Sequence, residues 1–179
     1  MSQVERAIIM AAGKGTRMKP ITNKVPKPLV KVNGKAMIEG VIEKLHEQGI
    51  QEIYVVVGYL KEQFNYLKEK YNDVHLIDNP YFDTCNNISS LYVAREHLKN
   101  VIILDGDQII NNSQILEKNF DFSGYNCIYK KEINNEWMLK IKEGLVKDCQ
   151  AMAAVFSFPD FEISFFQHPH SGEIGRAHV

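Results

Sequence analysis

Residues 11–27 of the chain read AAGKGTRMKPITNKVPK and directly follow the apolar run AIIM at residues 7–10. The apolar run is typical of a buried strand. Gly13 and Gly15 then permit a tight turn, because a residue without a Cβ atom lets the backbone come close to a ligand. Seven basic residues and no acidic residue lie between residues 14 and 35, which is one third of the 21 Lys and Arg residues in the chain. Exposed backbone N–H groups beside such a cluster suit a polyphosphate ligand.

The glycine loop departs from two well-known phosphate-binding patterns. The third glycine of a dinucleotide-binding fingerprint would fall at Met18. Pro20, Pro26 and Pro28 forbid a regular helix in this stretch. No Gly-Lys-Ser/Thr closes the loop, as the Walker pattern would require. The sequence therefore predicts a long, proline-stiffened basic phosphate loop, with a solvated basic surface as the alternative interpretation.

Predicted strands and helices alternate beyond the loop. Apolar residues at helical spacing predict helices, and short apolar runs bounded by Gly, Pro or Asn predict strands. The predicted helices cover residues 37–45, 61–71 and 89–98, and the predicted strands cover residues 52–57, 74–77 and 101–104. This alternation indicates an α/β fold, a Rossmann-like three-layer sandwich with a mostly parallel sheet and helices on both faces. Later segments, a strand at 126–129 and a hairpin of 137–141 with 145–148, make the predicted sheet mixed.

Two carboxylates follow the predicted strand at residues 101–104, in the sequence Asp105-Gly106-Asp107. Carboxylate oxygens suit Mg²⁺, a hard cation that also binds substrate phosphates. The alternative is an ordinary turn, since Asp and Gly are common turn residues. In a mostly parallel sheet the ligand crevice lies at the carboxyl ends of the strands. Because the glycine loop also follows a strand, we expect both segments to meet in one crevice and to bind Mg²⁺ there.

The longer stretch at residues 11–39, AAGKGTRMKPITNKVPKPLVKVNGKAMIE, resembles the N-terminal pattern of the NTP-transferase (nucleotidyltransferase) family. That pattern is A-A-G-x-G-[ST]-R, a short spacer and P-K-x-L-[VLI]. It is matched here at Ala11, Ala12, Gly13, Gly15, Thr16, Arg17, Pro26, Lys27 and Leu29. The resemblance implies an enzyme that joins an NTP to a phosphorylated small molecule and releases pyrophosphate. It also implies that Asp107 is the metal ligand, with Asp105 the weaker candidate.

Nucleotidyl transfer requires charge neutralisation rather than a protein nucleophile. A phosphomonoester is largely ionised at pH 7 and can attack the α-phosphorus unaided, provided that the two anions are held together. On this logic Arg17 holds the β- and γ-phosphates, and Lys27 neutralises the α-phosphate or the phosphate of the acceptor. We therefore expect Arg17, Lys27 and Asp107 to be the catalytic residues. The predicted nucleotide-binding loop comprises Ala11, Ala12, Gly13, Lys14, Gly15, Thr16 and Arg17.

The N-N-x-x-S-L text at residues 86–91 resembles the branch of the family that acts on choline phosphate or 2-aminoethylphosphonate with CTP. The amide side chains of Asn79, Asn86 and Asn87 could pair with the edge of a cytosine base. The alternative role for Asn86 and Asn87 is to cap the following helix, because asparagine is a good N-cap residue. On this resemblance the partners are CTP and a small phosphorylated alcohol.

The N-E-W text at residues 135–137 also resembles that branch, near the expected position of the acceptor. A quaternary ammonium group favours an aromatic face with a carboxylate nearby. Trp137 and Glu136 could supply both, and together with Lys27 they are the predicted acceptor-binding residues. The alternative for Trp137 is an ordinary tryptophan that packs a strand into the core.

The composition excludes several other classes of protein. The chain has 179 residues, 45% of them apolar, and a net charge of −1, which argues against a nucleic-acid coat or a membrane-surface protein. No apolar run approaches the roughly 18 residues that a membrane span needs, and the N-terminus does not read as a signal peptide. The three cysteines lack metal-like spacing and are expected to be reduced thiols in a cytoplasmic protein. The oligomeric state is left open.

The family resemblance extends from about residue 5 to about residue 148. We therefore expect a nucleotidyltransferase domain at residues 1–150 and an unmatched tail at 151–179. Residues 173–179, EIGRAHV, resemble a translated sequencing adapter, and we predict that they are not native and that the domain is truncated. Members of the family carry a second metal-binding aspartate well beyond the D-x-D element. In this sequence the only candidate for it is Asp160, which lies in the unmatched tail. Two alternatives remain open: a sugar-1-phosphate nucleotidyltransferase and a non-catalytic nucleotide-binding fragment.

Overall fold

The apolar runs of the sequence become the strands of one large sheet. The computed structural model describes residues 2–120, 123–128, 138–142, 145–150, 164–166 and 174–178. The strands in these ranges are β1 (Ser2–Gln3), β2 (Arg6–Ala11), β3 (Lys31–Val32), β4 (Lys35–Ala36), β5 (Ile53–Val57), β6 (Val74–Asp78), β7 (Val101–Asp105), β8 (Asn119–Phe120), β9 (Gly124–Ile128), β10 (Met138–Lys142), β11 (Leu145–Gln150), β12 (Ser164–Phe166) and β13 (Ile174–His178). The α-helices are α1 (Met37–Glu47), α2 (Tyr66–Lys70) and α3 (Ile88–Val93).

Within these ranges the large sheet has the strand order β10-β11-β13-β9-β12-β7-β2-β5-β6. Strands β7, β2, β5 and β6 pair in parallel, and in β2 Ile9 lies opposite Leu104 on one side and Val55 on the other. Strand β12 is parallel to both β7 and β9, whereas β13 is antiparallel to β9 and β10 is antiparallel to β11. The prediction of a mostly parallel mixed sheet is therefore confirmed.

The alternating side chains of β2 separate two hydrophobic cores. Ile9 packs into a cluster with residues of α1 and α2, including Ile42 and Leu67. Ile8 points to the opposite face, as successive residues of a strand do, and packs in a second cluster with Leu91 of α3. Helices thus cover both faces of the sheet, and the predicted three-layer α/β sandwich is confirmed.

The predicted helix over residues 37–45 is confirmed, and the second and third predicted helices are shorter than expected. Helix α1 ends at Glu47, and Gly49, with φ +69°, donates its N–H to the carbonyl of His46 at 2.8 Å, as a helix stop does. The predicted helix 61–71 forms a 3-10 turn, Lys61–Phe64, followed by α2. The predicted helix 89–98 forms α3 followed by a 3-10 turn, Arg95–His97.

Two short strand pairs were not predicted. Strands β3 and β4 form a hairpin whose two-residue turn, Asn33-Gly34, has φ values of +53° and +85°. Asn-Gly is the strongest short hairpin signal in a sequence, so this pair could have been foreseen. Strand β1 pairs with β8, more than one hundred residues away, and such short strands leave no periodic pattern to detect.

Several predictions fall outside the described residues. Glu136, Trp137 and Asp160 belong to this group. The predicted hairpin near residue 140 is present as β10 and β11. The division at residue 150 and the non-native origin of residues 173–179 stay predictions, although 174–178 form β13.

None of the helices in the described part of the chain has the length and apolar character of a membrane span.

Gly58, just after β5, lies where no side chain fits. A Cβ atom added there would be 2.7 Å from Cβ of Phe82 and 3.0 Å from the carbonyl oxygen of Ala12. Both contacts are at or next to backbone, so the neighbours cannot give way cheaply. We expect Gly58→Ala to lower the free energy of unfolding by roughly 1–3 kcal/mol in urea denaturation. The control is Gly40→Ala in α1, where an added Cβ meets nothing within 4 Å and a gain of about 0.5–1 kcal/mol is expected. Equal stability of Gly58→Ala and the native chain would contradict the steric argument.

Candidate active site

The basic loop contains 3-10 turns and no regular helix, in agreement with the prediction from its prolines. The turns are Thr16–Met18, Ile21–Asn23 and Lys27–Leu29. Gly15 has φ +59°, and its carbonyl oxygen accepts a 2.9 Å hydrogen bond from the hydroxyl of the buried Thr22. A Cβ atom on Gly15 would lie only 3.0 Å from Cβ of Lys27 and from Cγ2 of Thr22. The glycine turn is therefore closed against the far end of the loop, which brings Lys27 next to it.

The segment that follows β5 holds the loop at two points. The N–H of Tyr59, which follows β5, donates to the carbonyl of Ala12 at 3.0 Å. The side-chain amide of Gln63 donates to the carbonyl of Lys24 at 2.9 Å. These bonds hold the two ends of the loop at fixed positions, so it is positioned by the sheet although it contains no α-helix or long strand of its own.

A cleft of about 200 Å³ opens at the carboxyl ends of β2 and β7. Gly13 faces open space, since a Cβ atom added there would meet nothing within 4 Å. The cleft is lined by Met10, Ala11, Ala12, Gly13, Gly15, Arg17, Lys27, Pro28, Asn87, Ser90, Asp105 and Asp107. The expectation that the glycine loop and the two aspartates meet in one crevice is confirmed. Four predicted nucleotide-binding residues, Lys14, Thr16, Asn79 and Asn86, are not among the lining residues.

The two aspartates differ in their surroundings. Asp107 is ion-paired with Nζ of Lys27, and both side chains are partly buried. Among the described residues Asp105 has no ion-pair partner. Burial, together with the negative charge of Asp107, raises the pKa of Asp105 from the ordinary 3.8 to about 6, against an opposing effect of Lys27. The cleft therefore holds one neutralised carboxylate and one whose charge the fold disfavours.

This pair of carboxylates fits a Mg²⁺ ion. Mg²⁺ binds through one or two carboxylates and completes its shell with water and substrate phosphates. Among the described residues no group of three or more His, Cys, Asp or Glu side chains could hold a metal by itself. Asp107, with Asp105 beside it, would thus share the ion with the phosphates of a bound nucleotide.

The three asparagines predicted to contact the base have different positions. Asn86 is exposed, and its side-chain oxygen accepts the N–H of Ile88, the first residue of α3, at 3.2 Å, although Asn87 holds the N-cap position. Asn87 lines the cleft, makes no side-chain cap hydrogen bond, and has no other side-chain partner in the described part of the chain. Asn79 is 1% exposed and donates to the hydroxyls of Ser89 at 2.9 Å and Ser90 at 3.2 Å. Of the three, Asn87 is the one with a free amide at the cleft.

Sequence reasoning assigned no role to Ser90, although it lies within the N-N-x-x-S-L text. Its hydroxyl oxygen is held by Asn79, and its side chain borders the cleft beside Asn87. Lys14, in contrast, was predicted to bind the nucleotide but is ion-paired with Asp83 in the loop that follows β6. Glu136 and Trp137, the predicted acceptor-binding residues, lie outside the described residues.

The fold and this cleft define a protein of the nucleotidyltransferase class, with a glycine-rich phosphate loop facing a D-x-D element. The chain belongs to the family described as the MobA-like NTP transferase domain, which it matches over residues 7–153. The predicted family is thereby confirmed.

Two relatives of this chain are named as cytidylyltransferases of different kinds. The chain is 46% identical over 134 residues to a choline-phosphate cytidylyltransferase of Streptococcus pneumoniae, covering 75% of this chain and 58% of that protein. It is 39% identical over 186 aligned positions to a 2-aminoethylphosphonate cytidylyltransferase of Lancefieldella rimae, covering 95% and 74%. The chain thus spans somewhat more than half the length of the pneumococcal relative.

Solved structures agree with the fold. The CTP:phosphocholine cytidylyltransferase LicC of Streptococcus pneumoniae superposes with a TM-score of 0.67 at 35% identity, covering 97% of this chain and 67% of that one. A putative glucose-1-phosphate thymidylyltransferase of Bacillus anthracis superposes with a TM-score of 0.63 at 16% identity, covering 97% and 68%, and shares the fold.

The raised pKa of Asp105 predicts how its removal changes stability with pH. Because the folded-state pKa lies above the unfolded one, ionising Asp105 destabilises the fold, and this cost develops as the pH rises from about 4 through about 6. We expect Asp105→Asn, in EDTA, to raise the free energy of unfolding by roughly 1–3 kcal/mol at pH 7.5. The gain should shrink below pH 4. A gain that is independent of pH between 4 and 8 would contradict the electrostatic origin.

Proposed function

We propose that this protein transfers a cytidylyl group from CTP to choline phosphate or an aminoethylphosphonate-like acceptor, with release of pyrophosphate. The observation that carries the proposal is the meeting of Gly13, Arg17, Lys27 and Asp107 in one cleft. The two cytidylyltransferase relatives support the choice of nucleotide and acceptor class.

In the proposed reaction an oxygen of the acceptor phosphate or phosphonate attacks the α-phosphorus of CTP. The bond between the α-phosphorus and its bridging oxygen breaks, and pyrophosphate leaves with that electron pair. The main barrier is the approach of two anions, so the protein contributes positive charge and position. Arg17 would stabilise the departing β- and γ-phosphates, and Lys27 would neutralise the α-phosphate or the acceptor phosphate.

The backbone around Gly13 would cradle the phosphate chain, since nothing fills the space above it. Bound Mg²⁺, held by Asp107 and assisted by Asp105, would supply additional neutralisation of the phosphates. Trp137 and Glu136 are proposed to hold the ammonium group of the acceptor, as an aromatic face and a carboxylate can.

Base recognition is proposed for Asn87, because its amide is free at the cleft. An amide carries both a donor and an acceptor, and cytosine presents a donor at its amino group beside an acceptor ring nitrogen. Asn79 and Ser90 would help to position the start of α3, because the Asn79 amide already donates to the hydroxyls of Ser89 and Ser90. The loop residues Ala11, Ala12, Lys14, Gly15 and Thr16 remain proposed contacts of the nucleotide.

The direct test is pyrophosphate release from CTP and Mg²⁺ with choline phosphate, 2-aminoethylphosphonate or glucose-1-phosphate as acceptor. We expect release with one of the first two acceptors, and a loss of kcat/KM of about 100-fold or more in Lys27→Ala and Asp107→Ala. Lys24→Ala, an exposed lysine of the same loop, is the control and should retain activity. Release with the sugar phosphate alone would favour a sugar-1-phosphate nucleotidyltransferase, and saturable CTP binding without release would favour a nucleotide-binding module.

Asn86 and Asn87 form a matched pair for testing base recognition. Asn86→Ala removes the bond to Ile88 and should lower the free energy of unfolding by about 1 kcal/mol with little change in CTP affinity. Asn87→Ala should leave stability unchanged and weaken CTP binding by roughly fivefold to tenfold, as the loss of a hydrogen bond does. Both effects are measurable by urea denaturation and calorimetric titration. Weaker CTP binding in Asn86→Ala alone would assign the base contact to Asn86 instead.

A further inference from the structure

Lys27 and Asp107 contact each other, although the proposed reaction gives them different targets. Nζ of Lys27 is ion-paired with Oδ2 of Asp107. Their side chains are 31% and 25% exposed, so the pair is partly shielded from water. In the reaction Lys27 must face a phosphate and Asp107 a divalent cation. An ammonium group and a dication on the same carboxylate repel each other, so binding of the cation favours separation of the pair.

The backbone on both sides of the pair is held firmly. Lys27 begins a 3-10 turn between Pro26 and Pro28, and its Cβ lies against Gly15. Gly106 is enclosed so tightly that an added Cβ would be 3.2 Å from Ile9, 3.2 Å from Pro28 and 3.3 Å from Ala11. The flexible part is the four-carbon stem of the lysine, which has several rotatable bonds. Separation therefore requires a rotation of the lysine side chain, with little movement of the loop.

Arg17 shows that the pairing is specific to Lys27. Arg17 also lines the cleft, but it has no carboxylate partner among the described residues. It is therefore available for a phosphate without giving up another contact. Of the two proposed catalytic cations, Lys27 is the one held by an anion of the site itself.

We propose that Lys27 is the resident counter-ion of Asp107 in the free protein, and that a divalent cation and the Lys27 ammonium group exchange on this carboxylate when the site fills. The proposal deepens the function proposed above, on which the role of Asp107 rests. A free metal ion has to displace Lys27 into water, whereas a metal–nucleotide complex brings a phosphate that receives it. The site thus binds the free ion weakly and favours the metal together with its nucleotide.

The test is the affinity of the nucleotide-free full chain for Mn²⁺, measured by electron paramagnetic resonance. Lys27→Met keeps the stem and removes the charge, and we expect it to bind Mn²⁺ roughly tenfold more tightly than the native chain. Lys24→Met should leave the affinity unchanged. Arg17→Met removes a charge that lines the cleft without pairing, and should change the affinity by less than about threefold. Asp107→Asn should weaken binding and remove the effect of Lys27→Met in the double variant.

Several results would overturn the proposal. The first is unchanged or weaker Mn²⁺ binding in Lys27→Met. The second is an equal gain of Mn²⁺ affinity in Arg17→Met, because the effect would then follow from removing any positive charge from the cleft. If Lys27→Met does not unfold cooperatively, Lys27→Gln carries the same expectation. The measurement needs neither CTP nor acceptor. Absence of pyrophosphate release would therefore reject the proposed reaction while leaving the exchange standing, and a failed exchange would leave the reaction standing.

Discussion

The parallel pairing of β2 with β7 is the constraint on which the site depends. Met10 lies opposite Asp105, and the N–H of Gly106 donates to the carbonyl of Met10 at 2.9 Å. Because parallel strands run in the same direction, the phosphate loop and the D-x-D element leave the sheet side by side. A slip of one residue in β2 would exchange Ile8 and Ile9 between the two cores. The burial of both apolar faces therefore fixes the register, and the register places the cations opposite the carboxylates.

The burial that positions the two carboxylates also makes the ionised form of Asp105 unfavourable. Burial raises the pKa of Asp105, and the nearby charge of Asp107 adds to the effect. Lys27 relieves only part of this unfavourable charge, because its ammonium group is bound to Asp107. A site that is poorly neutralised when empty has more to gain from a cation that arrives with its ligand. Such local instability is typical of functional sites, where groups are arranged for the bound state and the rest of the fold maintains them.

The elements that sequence reasoning found are those with a strong local signal. The runs that became β2, β5 and β7 are apolar along their whole length, and glycines or charged residues mark their ends. The 3-10 turn at Lys61–Phe64 was predicted as α-helix, because apolar spacing distinguishes poorly between i+3 and i+4 bonding. In the site, the loop and the D-x-D element could be predicted from the types of residue they contain and from their positions directly after strands. The burial of Asn79 could not be predicted, because a side-chain amide that could bind a base can equally well bind the hydroxyls of Ser89 and Ser90.

The two adjacent asparagines at the start of α3 have different surroundings. Successive residues of a helical turn point about 100° apart, so one side chain can face the first N–H groups while the next faces the cleft. Asn86 accepts the N–H of Ile88, whereas Asn87 lines the cleft and has no side-chain partner among the described residues. This helix is short and carries Leu91 as its one fully apolar anchor among the buried residues of α3. Ile88 and Val93 are only partly buried against the second core cluster, and Asn79 adds hydrogen bonds to Ser89 and Ser90. The phosphate loop, by contrast, is fixed by prolines, glycines and the central strands. In such a fold the start of α3 can change while the loop at residues 11–27 keeps its own supports.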